Sequence, residues 1–246
     1  MNNFKKEYDD LGFFKKKDFF EKSLLKKIIE EINNLKENID IYYDKKGSLR
    51  RIERLHDKGE GLRLANNKIL FFLKDIFNFD FTIFKDKFNA KPPGGEGFFA
   101  HYDGIFNFKN ENNQDKKGWY EYSDLFVNVL IALDPCNAEN GTIEIANSHN
   151  KSFNTLLSNT KKNGTPDILS EIEKKLKFNI IDLNQGDIVI FNNTCPHRSK
   201  KNKSNSDRKT LYYTYTPLKY GSKYDEYFKD KLKSKNKNSK SLSGDF

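Results

Sequence analysis

From Lys15 to Leu35 the apolar residues Phe19, Phe20, Leu24, Leu25, Ile28, Ile29, Ile32 and Leu35 recur three and four apart, with Lys and Glu between them. That spacing puts one apolar stripe on an α-helix. An amphipathic helix is therefore predicted here, and a second from Leu64 to Phe77. Beyond Phe77 the texture changes to short runs rich in β-branched and aromatic residues: FDFTIF (79–84), GFFAHYD (97–103), DLFVNVLIALD (124–134), GTIEIA (141–146), FNIIDL (178–183), DIVIFN (187–192) and RKTLYYTYTP (208–217). KPPGG, AENG and NQGD break them, because proline fixes φ while Gly and Asn tolerate positive φ. Helices followed by strands predict a mainly β fold with flanking α-helices. The expected form is a sandwich or jelly roll with a helical N-terminal part at 1–78 and a β core at 79–218. The Lys- and Ser-rich stretch 229–246 reads as a flexible tail, leaving a single domain over 1–228.

A chain of 246 residues suits one core, and 22 Phe with 12 Tyr supply the apolar bulk that a disordered chain lacks. With only Cys136 and Cys195, and no leader-like pattern in MNNFKKEYDD, a reducing cytoplasmic setting is expected. No run approaches the roughly 18 apolar residues that a membrane span needs. The net charge of +9 suggests a nucleic-acid or anionic-surface binder until it is located. Residues 198–209 carry +5 and residues 219–246 carry +4, so the rest of the chain is neutral. A basic stripe interleaved with aromatics is missing, and nucleic acid is an unlikely partner on that ground.

FFAHYDGIF (98–106) sets His101 and Asp103 two apart, on one face if the stretch is a strand. An outward polar pair would look the same. His197, after the strand DIVIFN and an NTCP turn, completes a set of two imidazoles and one carboxylate, the facial triad of non-haem iron(II) oxygenases. Arg208 follows eleven residues later in a chain with only six Arg among 44 basic residues, and a planar guanidinium suits a carboxylate better than Lys does. Thr210 shares its face.

From about Lys91 to Pro217 the chain resembles the phytanoyl-CoA dioxygenase family of iron(II)- and 2-oxoglutarate-dependent oxygenases. The resemblance rests on KPPGG before HxD, on LIALD followed by ENGTIEIANSH, on GDIVIFNNTCPHRS, and on the Arg eleven residues after the distal His. It implies a double-stranded β-helix, the jelly-roll or cupin-like core. His101, Asp103 and His197 would ligate Fe(II), and Arg208 with Thr210 would hold the distal carboxylate of the co-substrate 2-oxoglutarate. Asn128 would meet the other end of the co-substrate, or else satisfy backbone groups in its strand. The implied reaction uses O2 to hydroxylate a C–H bond of a small metabolite, releasing succinate and CO2. Asp103, in place of Gly or Ala, argues against the halogenating variants.

Four of the six Arg lie at 50, 51, 54 and 63. Such a cluster in a Lys-rich chain suggests an anionic substrate group, with Arg51 and Arg54 as candidate contacts, or else a solvated surface. Trp119 is a candidate pocket wall or loop anchor. His149 reads as structural, His56 has no assigned role, and Cys195 reads as a small buried filler. The competing readings are a noncatalytic jelly-roll binding protein and an anionic-surface binder using the basic loop and tail.

Overall fold

The computed structural model describes residues 3–35, 40–110, 112–147, 150–161 and 164–237. The N-terminal part alternates helix and strand as α1 (Asn3–Leu11), β1 (Phe13–Lys16), α2 (Lys22–Asn33), β2 (Asp40–Tyr43), β3 (Leu49–Glu53) and α3 (Glu60–Phe77). Next come β4 (Phe81–Lys91), β5 (Phe98–His101), a small hairpin of β6 (Phe108–Lys109) and β7 (Asp115–Lys116), β8 (Val127–Ala132) and β9 (Ile143–Ala146). Two short helices, α4 (Phe153–Ser158) and α5 (Ser170–Glu173), lead to β10 (Phe178–Ile180), β11 (Ile188–Asn192), β12 (His197–Ser199), β13 (Arg208–Pro217) and the C-terminal α6 (Tyr224–Lys237).

Two antiparallel sheets face each other. One has seven strands in the order β1-β11-β8-β13-β4-β3-β2, and the other has four in the order β10-β9-β12-β5. Alternation along the strands of the larger sheet assigns its faces. Val127, Val129, Ile131, Ile188, Ile190, Leu211 and Tyr213 point outward, where they pack with Leu25, Ile28 and Ile32 of α2 and Leu62, Ile69 and Leu73 of α3. Each such burial is worth about 1.5–3 kcal/mol. Leu130, Ala132, Val189 and Phe191 point inward, against Ile143 and Ile145 of the smaller sheet. At β13, β4 and β3 the inward face becomes polar, with Arg208, Thr210, Lys85, Lys87, Asn89, Arg51 and Glu53, and there the sandwich opens into a cavity.

All seven expected strand runs contain strands, and the helix expected near Leu64 extends back to Glu60. Its first turn is completed from outside, since Glu31 of α2 accepts the backbone N–H groups of Gly61 and Leu62 at 2.8 and 3.0 Å.

Three expectations need correction. The helix predicted from Lys15 begins only at Lys22. Phe13–Lys16 instead pairs with Ile188–Phe191, and Asp18, at φ +50°, is held by the Asp187 carboxylate, which accepts its N–H at 2.9 Å. Residues 1–78 also contain three strands of the main sheet and are not simply helical. The tail predicted to begin at 229 is helical through Lys237, because Tyr227 and Phe228 bury against Phe84, Trp119, Tyr122 and Phe126. Residues 238–246 of that tail, and His149, lie outside the described residues. Among the described residues no helix is long and apolar enough to cross a membrane.

Candidate metal centre and cavity

His101 ends β5 and His197 begins β12, and the two are paired directly across the antiparallel ladder, with ring centroids 4.2 Å apart. Asp103 is not on the strand, as the HxD spacing suggested. The chain leaves β5 after His101 and turns, so Asp103 approaches from beyond the strand end. Asn193, in the turn before His197, fixes that approach. Its carbonyl accepts the Asp103 N–H at 2.9 Å and its side-chain amide donates to the Asp103 carbonyl at 3.0 Å. Gly104 then takes φ +76°, and a Cβ there would lie 2.5 Å from the Trp119 ring, so only glycine lets the indole pack against this turn.

The result is one ligand-capable atom from each of His101, Asp103 and His197, all within 4.8 Å of one another. The Asp103 carboxylate lies 4.0 Å from His101 Nε2 and 3.6 Å from His197 Nε2. His101 Nδ1 lies 2.8 Å from the Phe99 carbonyl, and His197 Nδ1 lies 3.0 Å from the Cys195 carbonyl. A carbonyl only accepts, so Nδ1 carries the proton in both rings and each Nε2 presents a lone pair to the centre. Burial, and for His197 the neighbouring His101, keeps both imidazoles neutral, with His197 pushed down to about 3. Burial works against the Asp103 carboxylate, but His197, Lys87, His101 and Lys85 outweigh it and hold its pKa below the ordinary carboxylate value.

Asn128 projects from β8 to donate from Nδ2 to Asp103 Oδ2 at 2.9 Å, while its Oδ1 accepts the Thr214 hydroxyl at 2.8 Å. The amide is thereby oriented, and Asn128 positions Asp103 where either a co-substrate contact or a backbone-satisfying role was expected. On the same face of β13, Arg208 and Thr210 are buried, and neither Arg208 Nε nor Thr210 Oγ1 has a hydrogen-bond partner among the described residues. Two buried donors two residues apart are thus left without an acceptor. The lining of the cavity itself passes through Tyr212, the next residue on that face, and does not include Arg208 or Thr210.

The cavity has a volume of about 470 Å³ and holds the triad on its wall. Trp119 and Arg51, two of the candidate substrate contacts, are among the residues that line it. Arg54 does not. At φ +64° its backbone turns out of β3, and its guanidinium pairs with Asp40 at 3.0 Å, so this candidate belongs to the surface. Arg50 is buried with its guanidinium donating to the Glu96 carbonyl at 3.0 Å, and Arg63 caps the Asp57 carbonyl at 2.8 Å. Half of the basic residues in the loop 198–209 are paired with carboxylates from elsewhere in the fold. Arg198 pairs with Glu144 and Glu173, Lys200 with Glu144, and Lys201 with Glu96. Cys195 is fully buried with its thiol donating to the Gly12 carbonyl, in keeping with a filler.

Sequence reasoning missed Lys85, Lys87, Glu53, Tyr227 and Lys231. Lys85 and Lys87 carry the only signal, a polar alternation in FTIFKDKFNAK that a solvent-facing strand would share. Glu53 is fully buried and paired with Lys231, which fastens α6 over the cavity. Burial pushes the Glu53 carboxyl up, but Lys231, Lys85 and Arg51 outweigh it and hold it at about 2, below its ordinary 4.5. A depressed carboxylate stabilises the fold above its unfolded pKa, and that contribution is lost as pH falls from about 4.5 through about 2. The difference in Tm between the wild type and Glu53→Gln should therefore shrink steadily on acidification across this window. A difference that does not vary with pH would mean that the charge on Glu53 does not secure the helix.

A family model described as Phytanoyl-CoA dioxygenase (PhyH) matches residues 8–210. The chain is 29% identical over 184 residues to a 2-aminoethylphosphonate dioxygenase from an uncultured bacterium, which covers 74% of this chain and 64% of that protein. It is 31% identical over 153 residues to a methylphosphonate hydroxylase from Gimesia maris, at 62% and 52% coverage. The chain thus spans between about half and two thirds of the length of these relatives. Among solved structures, the α-ketoglutarate-dependent carbocyclase SnoK of nogalamycin biosynthesis superposes with a TM-score of 0.68 at 13% identity, covering 89% of this chain and 84% of that one. EctD from S. alaskensis gives 0.68 at 14% identity, covering 89% and 77%. At such identities the likeness concerns the fold.

Proposed function

This chain belongs to the phytanoyl-CoA dioxygenase family, and on that footing we propose that it is an iron(II)- and 2-oxoglutarate-dependent dioxygenase hydroxylating a C–H bond of a small anionic metabolite. The observation that carries the reading is the convergence of His101, Asp103 and His197, with both Nδ1 protons already committed to backbone carbonyls. Two neutral imidazoles and one carboxylate suit a divalent iron and leave room on it for a chelating co-substrate. When bound, the iron supplies oxidising chemistry in which one oxygen atom of O2 enters succinate as 2-oxoglutarate loses CO2, and the other enters the substrate C–H bond.

The protein's own part is positional. Asn128 and Asn193 hold Asp103 in place, and Arg208 with Thr210 offers the co-substrate's distal carboxylate a buried guanidinium and a hydroxyl. Trp119, Tyr122 and Tyr227 line the cavity, and the low dielectric of their rings strengthens the charge interactions beside them. The cationic lining and the phosphonate substrates named for two relatives both support an anionic substrate.

The test is incubation with Fe(II), 2-oxoglutarate, O2 and a library of small anions, phosphonates included, scored by succinate release and by mass spectrometry for a product 16 Da heavier. Succinate coupled to a +16 product is expected. No succinate above the metal-free background with any member would remove the reading.

A further inference from the structure

We propose, building on that reading, that Lys85 and Lys87 seat a tetrahedral phosphorus oxyanion of the substrate and that the C-terminal helix α6 closes this seat. Both lysines project from the inward face of β4 and line the cavity that holds the triad. Residues two apart on one strand face stand about 6–7 Å apart, so the two ammonium groups repel across a partly dry space. Among the described residues neither has a carboxylate within 4.0 Å. Aromatic rings flank them, with Lys85 Nζ 5.2 Å from the Trp119 ring centre and 5.7 Å from that of Tyr227, and Lys87 Nζ 4.7 Å from that of Tyr212, while the charges of Glu53 and Asp103 reach them only from a distance.

The carboxylates around the cavity are committed elsewhere. Asp103 belongs to the triad, Asp230 accepts the Tyr122 hydroxyl at 2.8 Å, Asp167 lies 3.5 Å from Lys161, and Glu53 pairs with Lys231 and lies 3.6 Å from Arg51. A pair of cations held this way is stabilised by an anion that arrives with the ligand. A dianion compensates both, whereas a monocarboxylate leaves one uncompensated.

The helix α6 forms the facing wall, with Tyr227, Asp230 and Lys231 on the cavity. It is anchored at three points: Lys231 on Glu53, Asp230 on Tyr122, and the Tyr224 hydroxyl on Asp86 at 2.8 Å. The family match ends at Thr210, so this wall lies outside the part of the chain that the family model covers. The seat would therefore take one face from a strand of the shared core and the other from a C-terminal segment outside that match.

The experiment is anaerobic calorimetry on protein loaded with Fe(II) and 2-oxoglutarate, titrated with methylphosphonate, methyl phosphate and acetate. We expect methylphosphonate or methyl phosphate to bind at least tenfold tighter than acetate, and the comparison of the first two tells a phosphonate substrate from a phosphate ester. Lys85→Met with Lys87→Met should weaken that binding by 100-fold or more, and Tyr227→Ala by about tenfold. The affinity for 2-oxoglutarate, measured before the phosphorus compound is added, should change by less than threefold in both variants. Unchanged phosphonate and phosphate affinity in the double variant would overturn the seat, as would absence of binding by the wild type. An equal loss of 2-oxoglutarate affinity would move the two lysines to the co-substrate site. Failure of the functional reading looks different: the wild type would not take up Fe(II) and 2-oxoglutarate at all. The seat falls with it if methylphosphonate binding by metal-free protein is also indifferent to the two lysines.

Discussion

Changing His101 and His197 to alanine is expected to leave a folded protein that retains no iron and releases no succinate. The two Nε2 atoms and the Asp103 carboxylate meet within 4.8 Å, and among the described residues no other group of three His, Cys, Asp or Glu offers such a site. Losing even an outer hydrogen-bond partner of a metal ligand typically costs about 10–100-fold in affinity. Losing a ligand should cost more, so each single variant should already drop iron affinity by over about 100-fold, and the double variant should have none to measure. Metal content after gel filtration, together with a thermal melt to show that the sandwich is intact, decides the matter. One equivalent of iron retained by the double variant would place the centre elsewhere.

Arg208→Ala should raise the apparent KM for 2-oxoglutarate by about two orders of magnitude or more. Removing one side of a buried charged contact costs about 2–5 kcal/mol, and each 1.4 kcal/mol is tenfold. Arg208 is buried beside Thr210, and each keeps one polar atom without a partner, so the site is already desolvated and a carboxylate entering it recovers hydrogen bonds at little further cost. Arg208→Lys should recover only part of the loss, since an ammonium cannot present two parallel N–H groups. Steady-state succinate release against 2-oxoglutarate concentration measures this, with Tm as the control for a buried arginine removed from the core. An unchanged KM in a stable Ala variant would take the co-substrate away from this strand.

The strands were readable because a pleated strand shows its burial every second residue, and β8, β11 and β13 are buried on the outward side by α2 and α3. The helical start was misread for a related reason. Phe19 and Phe20 lie at helical spacing from Leu24 and Ile28, yet they are buried in a turn whose backbone N–H groups bond to Gly186 across the fold. Apolar spacing reports that a residue is buried and does not report what buries it. Arg51 and Arg54 differ likewise only in three dimensions. One lies on the inward face of β3, while the other, one residue past the strand end, turns outward to Asp40.

The amino-acid sequence by itself determined the chemistry of the candidate centre. Two imidazoles, one carboxylate and an arginine at fixed spacing after the distal histidine are residue types that few structural needs would place together. It also marked seven of the strand segments, from β4 to β13, but not the three main-sheet strands β1, β2 and β3. Only the tertiary structure decided what surrounds the centre. It set Asn128 as a hydrogen-bond support of Asp103, faced Lys85 and Lys87 inward, and folded α6 over the cavity through Lys231 and Glu53. The physical reason is that ligand identity is a property of single side chains. Whether a lysine meets solvent, a carboxylate or an empty cavity depends on partners far away in the chain, as with Glu53 and Lys231, which stand 178 positions apart.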